Sequence, residues 1–140
     1  MFLIFSKCHP DASTPSRATS GSVGFDLHSC EHIVLSSNKM IVVRTGIKAQ
    51  PPAGTYIRIA PRSGLASKGI FVNGGVIDPD YTGEIKVILQ NLSDQHYIIG
   101  KGMKIAQMII EKVEIPNMIE VGDIISSSER GSKGFGSSGE

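Results

Sequence analysis

Three short stretches of this chain hold residue types suited to the chemistry of phosphate esters. The C-terminal run from Arg130 to Glu140 sets a forked cation beside four glycines, three serines and one aromatic ring. The Arg130 guanidinium matches phosphate oxygens in pairs. Gly131, Gly134, Gly136 and Gly139 let backbone N–H groups approach a ligand closely. Ser137 and Ser138 add hydroxyl donors, and Phe135 offers a face for a base, a stacking contact worth ~1–3 kcal/mol in single-strand binders. The run lacks the Gly-Lys-Ser/Thr ending of an NTPase phosphate loop. In Ala60-Pro-Arg-Ser-Gly-Leu-Ala66, Arg62 and Ser63 stand beside Gly64 as a candidate anion site, without the Gly-x-Ser-x-Gly spacing of a nucleophile elbow. In Val72–Ile85, Asp78 is a candidate general base and Tyr81 an adjacent wall, while Gly74 and Gly75 leave bare backbone for a flat ligand. Each stretch also has a plain structural explanation: a terminus with little to bury, a strand end, and a turn where Asp and Pro are at home.

The elements that must position these residues read as strands. Polar and apolar residues alternate in Thr55–Ala60 and from Glu84 to Gln90, and Met40–Val43 is a short run of buried type. Gly46, Pro51–Gly54, Asn73–Gly75, Asp78–Asp80 and Gly100 punctuate the runs, a pattern of short strands that indicates an all-β sandwich or barrel. Val72–Ile85 reads as a hairpin turning at Asp78–Asp80, and one turn of helix fits Ser63–Lys68. No long amphipathic helix appears. Residues 10–22 form a polar loop, and the tail, with only Phe135 to bury, is expected to be mobile in the free protein. His28, Cys30 and His32 fall on one face of a strand, where ligands roughly 6.5 Å apart converge poorly on a metal. A zinc site is therefore not expected, and Cys30 reads as a small buried residue.

Composition bounds the function. One domain accounts for 140 residues, and a chain of that length buries roughly two-thirds of its unfolded surface without a staple. Fourteen basic against thirteen acidic residues, a net charge of +1, remove the simplest case for a nucleic-acid or anionic-membrane partner. Lys101, Lys104 and Lys112 are scattered and read as a solvated face. Two cysteines are too few for a disulfide scaffold, and the apolar start Met1–Phe5 is too short for a signal-peptide core. No window approaches a membrane span. Asn91-Leu92-Ser93 matches a glycosylation acceptor, which means little without secretion. The expectation is a soluble intracellular protein of cytoplasm or nucleus, or a virus-encoded one acting inside its host cell.

Taken together and in order, five segments resemble the five motifs of the trimeric dUTPase family. They are Ala18–Ser29, Pro61–Ala66, Gly75–Ile85, Gly102–Met108 and the tail from Arg130 to Gly139. The resemblance spans residues 18–139. It implies a jelly-roll-like β-barrel over residues 1–129 with a mobile C-terminal arm over 130–140. It also implies a homotrimer whose three active sites are each assembled from all three subunits. The implied reaction is magnesium-dependent hydrolysis of dUTP to dUMP and pyrophosphate, which limits uracil incorporation into DNA and supplies dUMP for thymidylate synthesis. Carried over by position, Asp78 is the base acting on the water that attacks the α-phosphorus, and Gln107 lies near the α-phosphate. Arg62, Ser63 and Gly64 bind phosphates, and Asp26 contacts magnesium only through water. Backbone from Gly75 to Lys86 pairs with uracil and excludes the thymine methyl, while Tyr81 packs under the sugar. Arg130, Phe135, Gly136, Ser137 and Ser138 supply the closing arm.

The chain departs from the family pattern at Thr82, where arginine is frequent, at Met103-Lys104, where Asp-Arg is usual, and at Ser138, where threonine is usual. None of these falls on Asp78, Tyr81 or Arg130, so activity is expected to survive. The related dCTP deaminases carry a catalytic glutamate near the position of Ile88, and an isoleucine cannot shuttle protons. A non-catalytic relative acting as an interaction module is the other alternative; such proteins lose Asp78-like or tail residues, and both remain here.

Overall fold

The computed structural model, which describes residues 1–136, resolves the alternating runs into ten strands and one helical turn among the described residues. In chain order these are β1 (Ile4–Lys7), β2 (Phe25–His28), β3 (Ile33–Leu35), β4 (Met40–Gln50), β5 (Thr55–Ala60), α1 (Ser63–Ala66), β6 (Ile70–Asn73), β7 (Val76–Ile77), β8 (Ile85–Asn91), β9 (Tyr97–Ile99) and β10 (Lys104–Lys112). Two four-stranded sheets, ordered β1-β4-β8-β6 and β2-β10-β5-β7, stand with the two-stranded ribbon β3-β9. Every pairing is antiparallel. The fold class is all-β, as the sequence indicated.

Alternation in sequence becomes alternation in burial. Ile85, Val87, Leu89 and Asn91 of β8 turn inward and Lys86 outward, while Ile57 and Ile59 of β5 are buried around an exposed Arg58. These side chains join Leu27, Leu35, Val43, Ile70, Ile99, Ile105 and Met108 in one core drawn from all three sheets. Burying an Ile or Leu stabilises by about 1.5–3 kcal/mol, against about 0–1 kcal/mol for an exposed ion pair such as Lys101–Asp11. The core therefore sets the positions of the strand ends, and the surface pairs follow.

Four expectations change on folding. The run Met40–Val43 is not buried throughout; Met40 and Val42 are exposed, and the strand continues to Gln50 through a bulge between Arg44 and Ile47. Gly46, read as punctuation, sits inside that bulge with φ +70, where a Cβ would meet Ala12 and His9 at 2.7 Å. Val72–Ile85 is not a tight hairpin. β6 does pair with β8, but between them the chain crosses to the other sheet, where β7 pairs with β5. The turn at its tip is present, with the Tyr81 N–H donating to the Asp78 carbonyl at 3.1 Å. His28, Cys30 and His32 do not share a strand face, because β2 stops at His28. Cys30 is buried and His32 exposed. The helical turn falls where it was expected, at Ser63–Ala66. Asn91 is fully buried, its amide bonded to the Leu35 and Gln95 carbonyls, which removes it as a glycosylation acceptor.

Candidate active site

Strand register builds the first part of the site. Gln107 on β10 pairs with Asp26 of β2 on one side and with Ala60, the last residue of β5, on the other. The chain leaving β5 therefore delivers Arg62, Ser63 and Gly64 to the same end of the sheet. All five line one cavity of about 200 Å³, with Ala18, Ser22 and Gly24. The Gln107 amide donates to the Pro61 carbonyl at 3.0 Å. Gly24 has to be glycine, since a Cβ there would lie 2.2 Å from the Gln107 amide oxygen and 2.9 Å from its Cβ.

Charge in this pocket is uneven. The Asp26 carboxylate, 12% exposed, lies 3.3 Å from Arg62 Nε and 3.4 Å from Lys104 Nζ. A buried carboxylate needs such partners. Two cations against one anion leave a surplus positive charge where Ser63 and Gly64 are exposed, which suits an anionic ligand. Two residues beyond Asp26, His28 has a buried Nδ1 without a hydrogen-bond partner. Burial lowers its pKa from the usual value; Asp26 opposes that, and Lys104 and Arg62 add to it.

The second part lies elsewhere. Asp78 and Tyr81 are exposed on the segment joining β7 to β8. Gly75, just before β7, has φ +92, and a Cβ would be 2.5 Å from the Ile59 carbonyl oxygen. Its own carbonyl accepts from the Ile59 N–H at 2.7 Å, so this glycine serves strand contact first. Lys86 points outward from β8 opposite Arg44. The Tyr81 phenol donates to the Glu84 carbonyl at 2.7 Å, and the ring lines a cavity of about 300 Å³ with β1, β4 and Pro79–Thr82.

The two parts do not meet within one chain. Asp78 follows Ile77, which pairs with Ile57, whereas Gln107 pairs with Ala60 at the far end of β5. Asp78 thus falls four residues along β5 from Ala60 and two strand spacings from β10, a separation of roughly 16 Å at ~3.3 Å per residue and ~4.8 Å per strand.

After β10 the chain runs to Gly136 without regular secondary structure, tied at its start by the Val113 N–H to the Gly54 carbonyl at 3.1 Å. Ile115, Met118, Ile119, Ile124, Ile125 and Phe135 are exposed along it. Arg130 is exposed and its Nε donates to the Lys133 carbonyl at 2.8 Å in a local turn; Gly136 follows Phe135 at φ +93. Ser137 and Ser138 lie outside the described residues.

Sequence reasoning missed Gly24, Lys104 and Glu84. Gly24 lies inside the first motif, but its crowding by Gln107 depends on a register visible only in the folded sheet. Lys104 reads from sequence as a departure in the fourth motif and as a solvated lysine, because the carboxylate it faces is 78 positions earlier in the chain.

An all-β body with a surplus-cationic pocket at one sheet end and a separate exposed carboxylate turn is a β-fold suited to phosphate-bearing ligands. The dUTPase family model matches residues 10–139. The deoxyuridine 5'-triphosphate nucleotidohydrolase of Paramecium bursaria Chlorella virus 1 is 47% identical over 138 residues, spanning 98% of this chain and 97% of that protein. The Saccharomyces cerevisiae nucleotidohydrolase of the same name is 43% identical over 91% of this chain and 88% of its own. Among solved structures, the dUTPase of Staphylococcus bacteriophage 80alpha with dUPNHPP matches at TM-score 0.91 and 29% identity, over 99% of both chains. A variant dUTPase from phage phi11 of S. aureus, described with a structural Mg(II) ion, shares the fold at TM-score 0.83 and 23% identity, over 90% of this chain and all of that one. This chain belongs to the dUTPase family, whose reaction is the hydrolysis of dUTP to dUMP.

Proposed function

We propose that the chain hydrolyses dUTP to dUMP and pyrophosphate in a homotrimer, at sites each completed by more than one copy. The observation that supports a shared site is the strand register, which sets Gln107 beside Ala60 and Ile77 beside Ile57 and so spaces Asp78 and Gln107 by roughly 16 Å. A general base acts within hydrogen-bond reach, about 2.6–3.2 Å, of the water it deprotonates. Asp78 of one copy therefore serves the phosphates held by Arg62, Ser63, Gly64 and Gln107 of another. The water loses its proton to the Asp78 carboxylate as its oxygen bonds to the α-phosphorus, and the bond to the bridging oxygen breaks with pyrophosphate as leaving group. Backbone from Gly75 to Lys86 reads uracil, and Tyr81 forms the floor under the sugar, where a 2'-hydroxyl is rejected. Arg130, Phe135 and Gly136, continued by Ser137 and Ser138, close over the nucleotide of a neighbouring site and exclude water. The exposed apolar residues from Ile115 to Ile125, which find no cover in their own chain, support a role for the preceding segment in contacts between copies.

Magnesium fits this arrangement as a companion of the substrate. The described residues contain no cluster of three metal-ligating side chains, but Asp26 supplies one carboxylate in the phosphate pocket. Magnesium keeps several waters and is held largely by substrate phosphates, so a single carboxylate meeting those waters suffices. When bound, the ion neutralises phosphate charge. No described helix is long and apolar enough to cross a membrane, and with relatives from viruses and eukaryotes this is read as an enzyme acting inside cells.

Pyrophosphate release tests the reading, with dUTP, dCTP, dTTP and UTP compared in the presence and absence of a chelator. Release from dUTP alone, lost on chelation, is expected. Sharing between copies is tested by mixing inactive Asp78→Asn and Arg62→Ala chains and letting subunits exchange. About a quarter of the sites then combine an intact turn with an intact pocket, and activity returns. No recovery in demonstrably mixed trimers would place the whole site in one chain.

A further inference from the structure

The bulge of β4 grips the chain just beyond Tyr81 at three points. Arg44 Nε donates to both carboxylate oxygens of Glu84 at 3.1 Å, and Nη2 to one of them at 3.0 Å. The Gly46 N–H donates to the other oxygen at 3.0 Å. The Thr45 hydroxyl, fully buried, donates to the Ile85 carbonyl at 2.5 Å. Burial alone would raise the Glu84 carboxyl, but the Arg44 and Gly46 hydrogen bonds outweigh it and hold its pKa below the usual value. The residue stays charged and clamped.

The backbone of this same residue holds Tyr81. Its carbonyl accepts the phenol hydrogen bond at 2.7 Å, and the tip of the ring crosses Gly83 so closely that a Cβ there would lie 2.4 Å from the phenol oxygen. Among the described residues this is the one hydrogen bond made by the Tyr81 side chain, and residues 78–82 are largely exposed.

We propose that Glu84 is a positioning residue for sugar selection: its carboxylate, locked to the Arg44–Gly46 bulge, fixes the carbonyl that holds the Tyr81 ring in place. The inference rests on the reading of Tyr81 as the floor under the sugar. Rejection of a 2'-hydroxyl by contact with a ring face depends on where that ring stands to a fraction of an ångström. An exposed tyrosine on a turn has no such precision by itself. Here it comes from a bulge 40 positions earlier in the chain, through one charged side chain and one carbonyl.

The test uses the full-length chain and measures kcat and KM for dUTP and for UTP. In Glu84→Ala the preference for dUTP over UTP, taken as the ratio of kcat/KM values, should fall about 10-fold, mainly through KM. Glu84→Gln still accepts from Gly46 and Arg44 and should restore most of the preference. Gly83→Ala leaves the ion pair intact but drives the phenol off its carbonyl, so it should reproduce the loss. It carries the test alone if Glu84→Ala does not assemble. A lower melting temperature with unchanged preference in both Ala variants would make the clamp purely structural and overturn the proposal. Tyr81→Ala separates the two levels. If preference survives there, the reading of Tyr81 fails; if it collapses there but not in Glu84→Ala or Gly83→Ala, only the role of Glu84 fails.

Discussion

The phosphate pocket and the Asp78 turn are held in opposite ways. In the pocket, Asp26 is buried between two cations, Gln107 is bonded to the Pro61 carbonyl, and Gly24 leaves no room for a methyl group. At the turn, Asp78 is exposed, and its anchoring is the backbone bond from Tyr81 together with the clamp on Glu84. The pocket residues are thus preset by core packing, whereas the Asp78 carboxylate proposed for proton transfer stands on the surface. The difference teaches that stability and turnover draw on separable parts of this chain. Substitutions at the turn should change rate without changing the fold, and substitutions in the pocket should change both.

The sharpest test of that separation is Asp78→Asn. Turnover should fall by at least ~100-fold, the usual scale for loss of a general base, with melting temperature and oligomeric mass unchanged. A variant that also melts early would show the carboxylate to be structural. Gly24→Ala probes the other side. Its Cβ must displace Gln107, so kcat/KM should fall about 10-fold and the melting temperature should drop with it. Gly100→Ala, where a Cβ meets nothing within 4 Å, is the control expected to do neither. A Gly24→Ala protein of normal stability but low activity would mean that Gln107 moves freely and the pocket is less rigid than its packing indicates.

The smallest effect concerns pH. The His28 pKa is lowered in the fold, chiefly by burial. Between that lowered value and the ordinary one near 6.5, the unfolded chain binds more protons, so stability rises with pH across this window. The contribution is complete above about pH 6.5 and is lost as pH falls through the folded value. His28→Gln should flatten the fall in melting temperature below about pH 6.5 while leaving the value at pH 8 nearly unchanged. An identical acid limb in both proteins would shift the cause to groups outside the pocket.

Local pattern made much of this legible. The period of two in Thr55–Ala60 and Glu84–Gln90 gave strands at β5 and β8, and the turn signals at Asp78-Pro79 and Ser63-Gly64 fell where the chain does turn. The misreadings came from signals with two physical meanings. A glycine such as Gly46 marks either a strand end or a bulge, and here it is a bulge because β4 continues on the far side. Two runs flanking a turn suggest a hairpin unless another strand competes for one of them, as β5 does for β7.

The sequence by itself determined the all-β class, the polar pieces of the site and, through five ordered motifs, the family. Those depend on side-chain type, on periodicity and on spacing, which are local properties of the chain. Tertiary structure alone decided that Arg62 and Lys104 share one carboxylate, that Gly24 yields space to Gln107, and that Glu84 rather than a neighbour of Tyr81 in the turn anchors its ring. It also decided that Asp78 and Gln107 stand at different ends of β5 and on different sides of it. Apart from the local bond of Tyr81 to Glu84, each of these is a distance between residues remote in sequence, set by strand register and by a core that gains free energy only when the strands pack in one arrangement.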